Sequence, residues 1–527
     1  ALDNGIAWGH AGAQAEARIR LADAAYRRND AGRSLELLRE AETNLSLLPD
    51  GVFAEGWRTD MEMMRAEALL GTSNRDAFDA IGRAFDIMER RQTPFRLARA
   101  RWIRGRSVAD STPEQARAEF LQGLKASAAQ PAAIDPFGRS LADQRWLLVK
   151  SLLSLGQADR AEPHDLSIAL ATLLADDRSD VLERLQNGHT SSHLTLVFVA
   201  LDEGILRWQI RRDRVTRELL PVRRRDLERQ INEHASLVRR QDSGDWLSAS
   251  DRVSGLILSG IADSAPAALT VVADELLSQV TFATLRWPAT KRFFDETTDL
   301  TVLAVGASPQ RPRSAASIQR ALVVGDPSTN SGNLFPSLPG AREEATQIAS
   351  LYAAPTLLTG DEATRARLQA AIPNADIIHY AGHAVGDRVD PSASRLILVA
   401  DDPGSAFTAA EVTKLPVNAR VVVLAACQGA LTASAGNVAI HGLASAFLKA
   451  GTRHVVASRW DVDDRYSTGF LRVIHQHLIA GAGVSRAVRS AQSALRTEPG
   501  FSHPYFWAGF SAYATIDSRY GDSNESE

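Results

Sequence analysis

The single cysteine of this chain, Cys427, ends an apolar run: Arg420-Val421-Val422-Val423-Leu424-Ala425-Ala426-Cys427-Gln428-Gly429. Forty-four residues upstream a second such run, Asp376-Ile377-Ile378-His379-Tyr380-Ala381-Gly382-His383, ends in a histidine. A thiolate attacks a carbonyl far better than a thiol, so a reactive Cys needs a base, a cation or a helix N-terminus beside it. Imidazole is the side chain that takes and returns a proton near neutral pH. Cys427 as nucleophile with His383 as its proton partner would perform acyl transfer, and backbone N–H groups in the Gly-flanked turns would receive the developing oxyanion. The plain alternative for a lone Cys behind Val-Val-Val-Leu-Ala-Ala is a small buried core residue.

The other titratable groups offer less. His379, four residues before His383 and inside its run, reads as a core or supporting histidine. His379 and His383 have no carboxylate motif that would complete a metal site. His475 and His477 lie two apart on a predicted helix and face apart, so no metal is expected. Gly481-Ala482-Gly483 lacks the strand and helix context of a phosphate loop, and no cofactor is expected.

Each reactive residue needs an element to carry it. Both runs are short, aliphatic and β-branched, and each reaches a Gly near its reactive residue, the signature of a fully buried strand opening into a loop. From 268 onward strands alternate with helices. Strands are predicted at 269–273, 301–306, 320–325, 355–359, 376–381, 394–400, 420–426, 454–459 and 511–516. Helices are predicted at 341–353, 363–371, 408–413, 438–450, 464–480 and 483–496. That alternation specifies a doubly wound, mostly parallel α/β sheet covered by helices, with ligands bound where strands deliver their carboxyl ends.

Residues 1–185 read instead as helix upon helix, in pairs that recur about every 40 residues. First helices fall near 14–28, 56–71, 94–107 and 139–155, and second helices near 32–46, 74–90, 113–127 and 157–175. Leu152-Leu153-Ser154-Leu155-Gly156-Gln157-Ala158-Asp159-Arg160-Ala161 is similar to the small-residue crossing of a tetratricopeptide repeat (TPR), whose usual period is shorter, roughly 34 residues. Such hairpins stack into a solenoid whose concave face binds peptide or protein. Between the two regions, 194–201 and 205–210 flank Asp202-Glu203-Gly204 as a hairpin, followed by helices near 223–240 and 250–262. The charges of Arg223, Arg224, Arg225, Asp226, Glu228 and Arg229 read as a solvated helix face.

A length of 527 residues implies two or three domains. A formal net charge of −4 with 45% hydrophobic and 23% charged residues is that of an ordinary globular protein, and gives no reason to expect nucleic acid or an anionic membrane as partner. No apolar run approaches the ~20 residues needed to span a bilayer. One cysteine forms no internal disulfide, and Ala-Leu-Asp-Asn-Gly carries none of the charged and apolar regions of a secretion signal, so a cytoplasmic setting is expected.

Ala426-Cys427-Gln428-Gly429 matches most of the caspase nucleophile signature, whose His lies roughly 50 residues upstream. The wider context, roughly 192–516, resembles the CHAT peptidases, relatives of caspases and separases that often carry TPR repeats. The resemblance runs through Asp274 to Leu285, Leu338 to Ala345, Gly360 to Thr364, Gly442 to Gly451, Val455 to Asp464 and His503 to Phe510, in order. It implies a caspase-like α/β fold with His383 and Cys427 catalytic, the backbone amides of Ala384 and Cys427 as oxyanion hole, and no cofactor. Ala384 stands where the family usually has Gly, and Ala425 where it often has Ser. Trp460-Asp461-Val462-Asp463-Asp464 resembles a separase segment that helps form the pocket for an arginine, which makes Asp461 and Asp463 candidates for specificity.

The implied organisation is a TPR-like repeat domain at 1–185, a supporting CHAT hairpin and helices at 190–265, the caspase-like peptidase domain at 266–520, and a disordered tail at 521–527. The implied function is a cytoplasmic cysteine endopeptidase cleaving specific proteins, regulated or targeted through its repeats by a protein or complex, in antiviral defence or programmed cell death. The alternative is a weak or inactive CHAT scaffold acting as a protein-binding adaptor.

Overall fold

A computed structural model describes residues 10–48, 52–91, 94–127, 141–155, 163–174, 180–241, 244–261, 265–304, 318–328, 335–387, 390–399, 407–426, 442–460 and 464–516. The chain divides into two compact units, Ala1–Gln157 and Ala158–Glu527.

The first unit is helical throughout its described residues: α1 (Ala11–Arg27), α2 (Ala31–Leu45), α3 (Val52–Leu69), α4 (Asn74–Arg91), α5 (Pro94–Val108), α6 (Pro113–Ser127) and α7 (Leu141–Leu155). The links are set by local chemistry. Asn29 takes a left-handed φ of 64°, and the Asp30 side chain caps α2 by accepting the Arg33 amide at 2.9 Å. Small residues let the helices approach: Ala15, Ala22 and Ala41 are buried with Ile19, Leu38 and Met64. The same rule continues with Ala66, Ala84 and Ala100 beside Ile81 and Ile103. Ion pairs join one hairpin to the next, Arg96 to Asp60 at 2.8 Å and Arg99 to Glu67. First helices begin at Ala11, Val52 and Pro94, so this is an all-helical repeat region with the long period its sequence indicates.

In the second unit, α8 (Pro163–Leu174) and α9 (Val181–Asn187) precede an eleven-stranded sheet. Its strands are β1 (His193–Ala200), β2 (Ile205–Ile210), β3 (Val215–Leu220), β4 (Ala268–Ala273), β5 (Asp299–Leu303), β6 (Ala321–Pro327), β7 (Thr356–Gly360), β8 (Ile377–Gly382), β12 (Val421–Ala426), β13 (His454–Ser458) and β14 (Phe510–Ala514). The order is β3-β2-β1-β4-β5-β14-β13-β12-β8-β6-β7. Seven of the ten pairings are parallel. The β13–β14 pairing is antiparallel, so the β1-β4-β5-β14 strands run opposite to the β13-β12-β8-β6-β7 strands.

Three short strands that follow β8 in the chain, β9 (Ala384–Val385), β10 (Arg395–Leu396) and β11 (Phe407–Thr408), form a separate sheet in the order β11-β10-β9. The strand expected over 394–400 is therefore only two residues long, with one further bridge at Val399. Its alternating Leu396 and Leu398 are buried as a strand would bury them, but their partner segments are too short to extend the ladder. β3 has no counterpart in the sequence expectation. As an edge strand it is half-exposed over most of its length, so its apolar alternation is faint.

Further helices are α10 (Arg224–Val238), α11 (Trp246–Ile257), α12 (Pro339–Ala349), α13 (Arg365–Ala371), α14 (Leu443–Lys449), α15 (Asp464–Ile479) and α16 (Val484–Thr497). Strands β8 and β12 are buried on both faces. Ile378, Tyr380, Val422 and Leu424 join a core with Leu368 of α13 and Phe447 of α14. Ile377, Val421 and Val423 join one with Ile348, Leu471 and Val488 of α12, α15 and α16. Continuous aliphatic runs in the sequence are the consequence. On β6, a Cβ at Gly325 would lie 2.3 Å from the Ala345 Cβ, so only glycine lets α12 seat this closely.

Candidate active site

At the centre of the sheet β8 and β12 are parallel neighbours, paired from Ile377 with Val421 to Gly382 with Ala426. His383 is the residue after Gly382, and Cys427 is the residue after Ala426. Cys427 lies outside the described residues, as do Asp461 and Asp463.

His383 is half-buried and held from three sides. Its Nε2 lies 2.7 Å from the Pro336 carbonyl, and the Phe335 ring sits with its centroid 5.4 Å away. Its own carbonyl accepts the Ile397 amide at 3.0 Å and the Tyr380 hydroxyl at 2.7 Å. A carbonyl only accepts, so Nε2 carries the proton and the lone pair of the neutral ring is on Nδ1. Any proton taken by this histidine therefore goes to Nδ1. Tyr380 is fully buried, and burial pushes its ionisation far above the usual phenol range, so it stays a hydroxyl donor. Its Oη is also 2.7 Å from the Ile397 carbonyl, and one proton is shared between these acceptors.

The residue after His383 begins β9. Ala384 faces Leu396 of β10, while the bond from Ile397 N–H to the His383 carbonyl spans that pair. Ala384 and Leu396 are thus a non-hydrogen-bonded pair, and the Ala384 amide is directed away from β10. An N–H in that orientation beside His383 is suited to receive an oxyanion.

The end of β12 is tied down by β13. The Ser458 hydroxyl, fully buried, donates to the Ala426 carbonyl at 2.5 Å. Beyond Ser458 the Arg459 amide donates to the Gly509 carbonyl at 2.7 Å, and its guanidinium to the Ser278 carbonyl at 3.0 Å. Trp460 Nε1 donates to the Tyr505 carbonyl at 3.0 Å. The segment leading into Asp461 is anchored at both of these residues.

His379 has a different surrounding. Fully buried on β8, it places Nε2 3.0 Å from Glu344 of α12 and Nδ1 3.0 Å from His475 of α15. His475 Nδ1 in turn lies 2.7 Å from the Tyr352 hydroxyl, and Ser467 donates to the second Glu344 oxygen at 3.2 Å. Burial, with His379 nearby, holds His475 well below the usual histidine range, so its ring is neutral. One proton assignment satisfies every member: Tyr352 donates to His475, His475 Nε2–H to His379, and His379 Nε2–H to the Glu344 carboxylate. Among the described residues no group of three or more His, Cys, Asp and Glu is arranged to hold a metal ion.

The sequence alone points to His383 and Ala384 but not to Pro336, Tyr380, Ser458 or the contacts of His379 with Glu344 and His475. Tyr380 stands in the run that carries His379 and His383, and that position is a usable signal. Contacts made through backbone carbonyls leave none.

A family model described as the CHAT domain matches residues 252–515, half of the chain. The chain belongs to the CHAT-domain family. Similar curated proteins are tetratricopeptide repeat protein 28 of Mus musculus, 28% identical over 240 residues, and that of Homo sapiens, 27% identical over 237. Each alignment covers 38% of this CHAT protein and 10% of the relative, so the chain spans about a tenth of their length. Among solved structures, a chain from the crystal structure of the Saccharomyces cerevisiae separase–securin complex matches 95% of this CHAT protein and 47% of its own length. The TM-score is 0.53 at 9% identity, which shows a shared fold. An all-helical repeat region followed by a mixed, mostly parallel sheet is the fold this CHAT protein shares with that separase chain.

Proposed function

We propose that this CHAT protein is a cysteine endopeptidase with Cys427 as nucleophile and His383 as its proton-transfer partner. The observation that carries the proposal is the pairing of Gly382 with Ala426, because each strand stops one residue short of a proposed catalytic side chain. Parallel strands run ~4.8 Å apart, so Gly382 and Ala426, the residues that directly precede the two in the sequence, are backbone neighbours. The engagement of His383 Nε2 by Pro336 adds to this, since it leaves Nδ1 to exchange the proton.

In the reaction Cys427 gives its Sγ proton to His383 Nδ1, and the thiolate attacks the carbonyl carbon of the scissile peptide. The oxyanion is received by the amides of Ala384 and Cys427. Collapse of the tetrahedral intermediate breaks the C–N bond, with the imidazolium returning its proton to the departing amine. A water, deprotonated at the same nitrogen, then hydrolyses the thioester and restores the thiol. Asp461 and Asp463 are the proposed carboxylates of a pocket for an arginine before the scissile bond.

The helical repeats, taken as 1–185, recruit the substrate or a regulatory protein, the 190–265 segment supports the 266–520 peptidase half, and the setting is defence or programmed cell death in the cytoplasm. Among the described residues no helix is long and apolar enough to cross a membrane.

Labelling with a basic-residue peptide halomethylketone tests the proposal. An adduct on Cys427 that disappears in Cys427→Ala and slows strongly in His383→Ala supports the dyad. A folded native chain that is not labelled, with its protein partner present, sinks it and leaves a protein-binding adaptor.

A further inference from the structure

We infer that Asp326 is a positioning residue for His383, a role that rests on the peptidase proposal above. Asp326 sits near the end of β6, where the register with β7 shifts between Gly325 and Pro327. It is buried and adopts a φ of 45°, in the left-handed region that non-glycine residues rarely occupy. Backbone held there persists only when surrounding bonds determine it, and such positions gather at functional sites.

The bonds that determine it lead to the catalytic histidine. One carboxylate oxygen accepts the Leu338 amide at 2.7 Å, and the other accepts the Ser337 hydroxyl at 3.0 Å and Arg342 Nε at 3.2 Å. Ser337 and Leu338 directly follow Pro336, whose carbonyl takes the His383 Nε2–H. The ends of β6 and β8 are also in close approach, since a Cβ at Gly382 would lie 3.1 Å from Pro327 Cδ. Asp326 therefore fixes the segment that fixes the imidazole, without touching the reacting atoms. Loss of its carboxylate frees the Pro336 carbonyl to turn, and the His383 ring loses the acceptor that holds the proton on Nε2 and the lone pair on Nδ1. Arg342 contributes less, because its side chain is half exposed and the Leu338 and Ser337 bonds do not depend on it.

The test joins a spectroscopic reading of the ring to the reactivity of the thiol in the full chain. Nitrogen NMR on histidine-labelled protein, with the His383 signals assigned by their loss in His383→Ala, reads the tautomer. Iodoacetamide alkylation of Cys427 across pH 5.5–9.5 reads the coupling. The native chain and Arg342→Ala should show the Nε2–H tautomer and a His383-dependent alkylation component below the ordinary thiol range. Asp326→Ala should show mixed tautomers, a five- to fiftyfold smaller component and a correspondingly lower kcat, with KM within about twofold. Asp326→Asn keeps an acceptor for the Leu338 amide and should restore most of both, and it serves as the folded comparison where Asp326→Ala melts. An unchanged tautomer in Asp326→Ala, or, where that variant melts, in Asp326→Gly, which suits the left-handed backbone and likewise lacks the carboxylate, overturns the inference whatever the activity. Alkylation of the native chain that ignores His383 overturns the dyad itself, and the positioning role falls with it.

Discussion

The Ser458 hydroxyl donates to the carbonyl of Ala426 at 2.5 Å, so the last residue of β12 before the proposed nucleophile is fastened sideways to the end of β13. Ladder bonds alone leave a strand end free to fray, and a side-chain bond at this point limits where the next residue begins. Removing one partner of a buried hydrogen bond costs about 1–3 kcal/mol. Ser458→Ala should lose stability in that range in urea unfolding and slow halomethylketone labelling of Cys427 several-fold. Labelling at the native rate in the variant would show that the bond serves stability alone.

Tyr380 makes the corresponding link on β8. Its buried hydroxyl reaches both the His383 and Ile397 carbonyls, joining the strand end to the β9–β10 hairpin. Tyr380→Phe keeps the ring in its core position and removes only the donor, so the cost should be about 1–2 kcal/mol. The His383 carbonyl keeps the Ile397 amide, so labelling should slow by less than in His383→Ala. A Tyr380→Phe chain as slow as His383→Ala would mean that the hydroxyl acts on the reaction itself.

The central strands were legible because burial on both faces favours an apolar run, and Val421 to Ala426 supplies an unbroken aliphatic one while Ile377 to Gly382 supplies one interrupted by His379 and Tyr380. The parallel order followed from the intervening helices. The reversal of strand sense between β13 and β14 was not legible, since Phe510 to Ala514 is as apolar as the parallel strands of the sheet and nothing in it encodes direction. Of the candidate site, His383 announced itself by type and position. Asp326 did not, because its role depends on a left-handed backbone and on three donors that lie 11 to 16 residues downstream. The Glu344–His379–His475 chain was hidden for the same reason, being assembled from two helices and a strand.

That chain carries a stability prediction separate from catalysis. Glu344 is buried and accepts from His379 and Ser467, so Glu344→Ala leaves two donors inside the core without an acceptor. The expected loss is about 2–5 kcal/mol, while Glu344→Gln, which keeps one acceptor oxygen, should lose less. Equal melting of the two variants would rule out hydrogen-bond satisfaction as the reason this polar cluster is tolerated.

A further buried histidine makes the second unit sensitive to acid. His234 on α10 has Nε2 2.9 Å from the Thr284 hydroxyl, and burial, reinforced by the charges of Arg459 and Arg239, lowers its ionisation to about 4. In the unfolded chain the same group titrates near 6.5. Its folded value is depressed, so below pH 6.5 the unfolded state takes up a proton that the folded state refuses. The stability due to the neutral ring is present in full above pH 6.5 and is lost as pH falls from 6.5 to about 4. Each unit is worth ~1.4 kcal/mol, which makes the full loss about 3 kcal/mol. His475, held low in the same way, steepens the fall. His234→Gln should flatten this dependence by roughly half or more while costing little at pH 8, as read from denaturant midpoints at pH 8, 6 and 4.5. A variant that loses stability with acid as steeply as the native chain would assign the acid sensitivity to other groups.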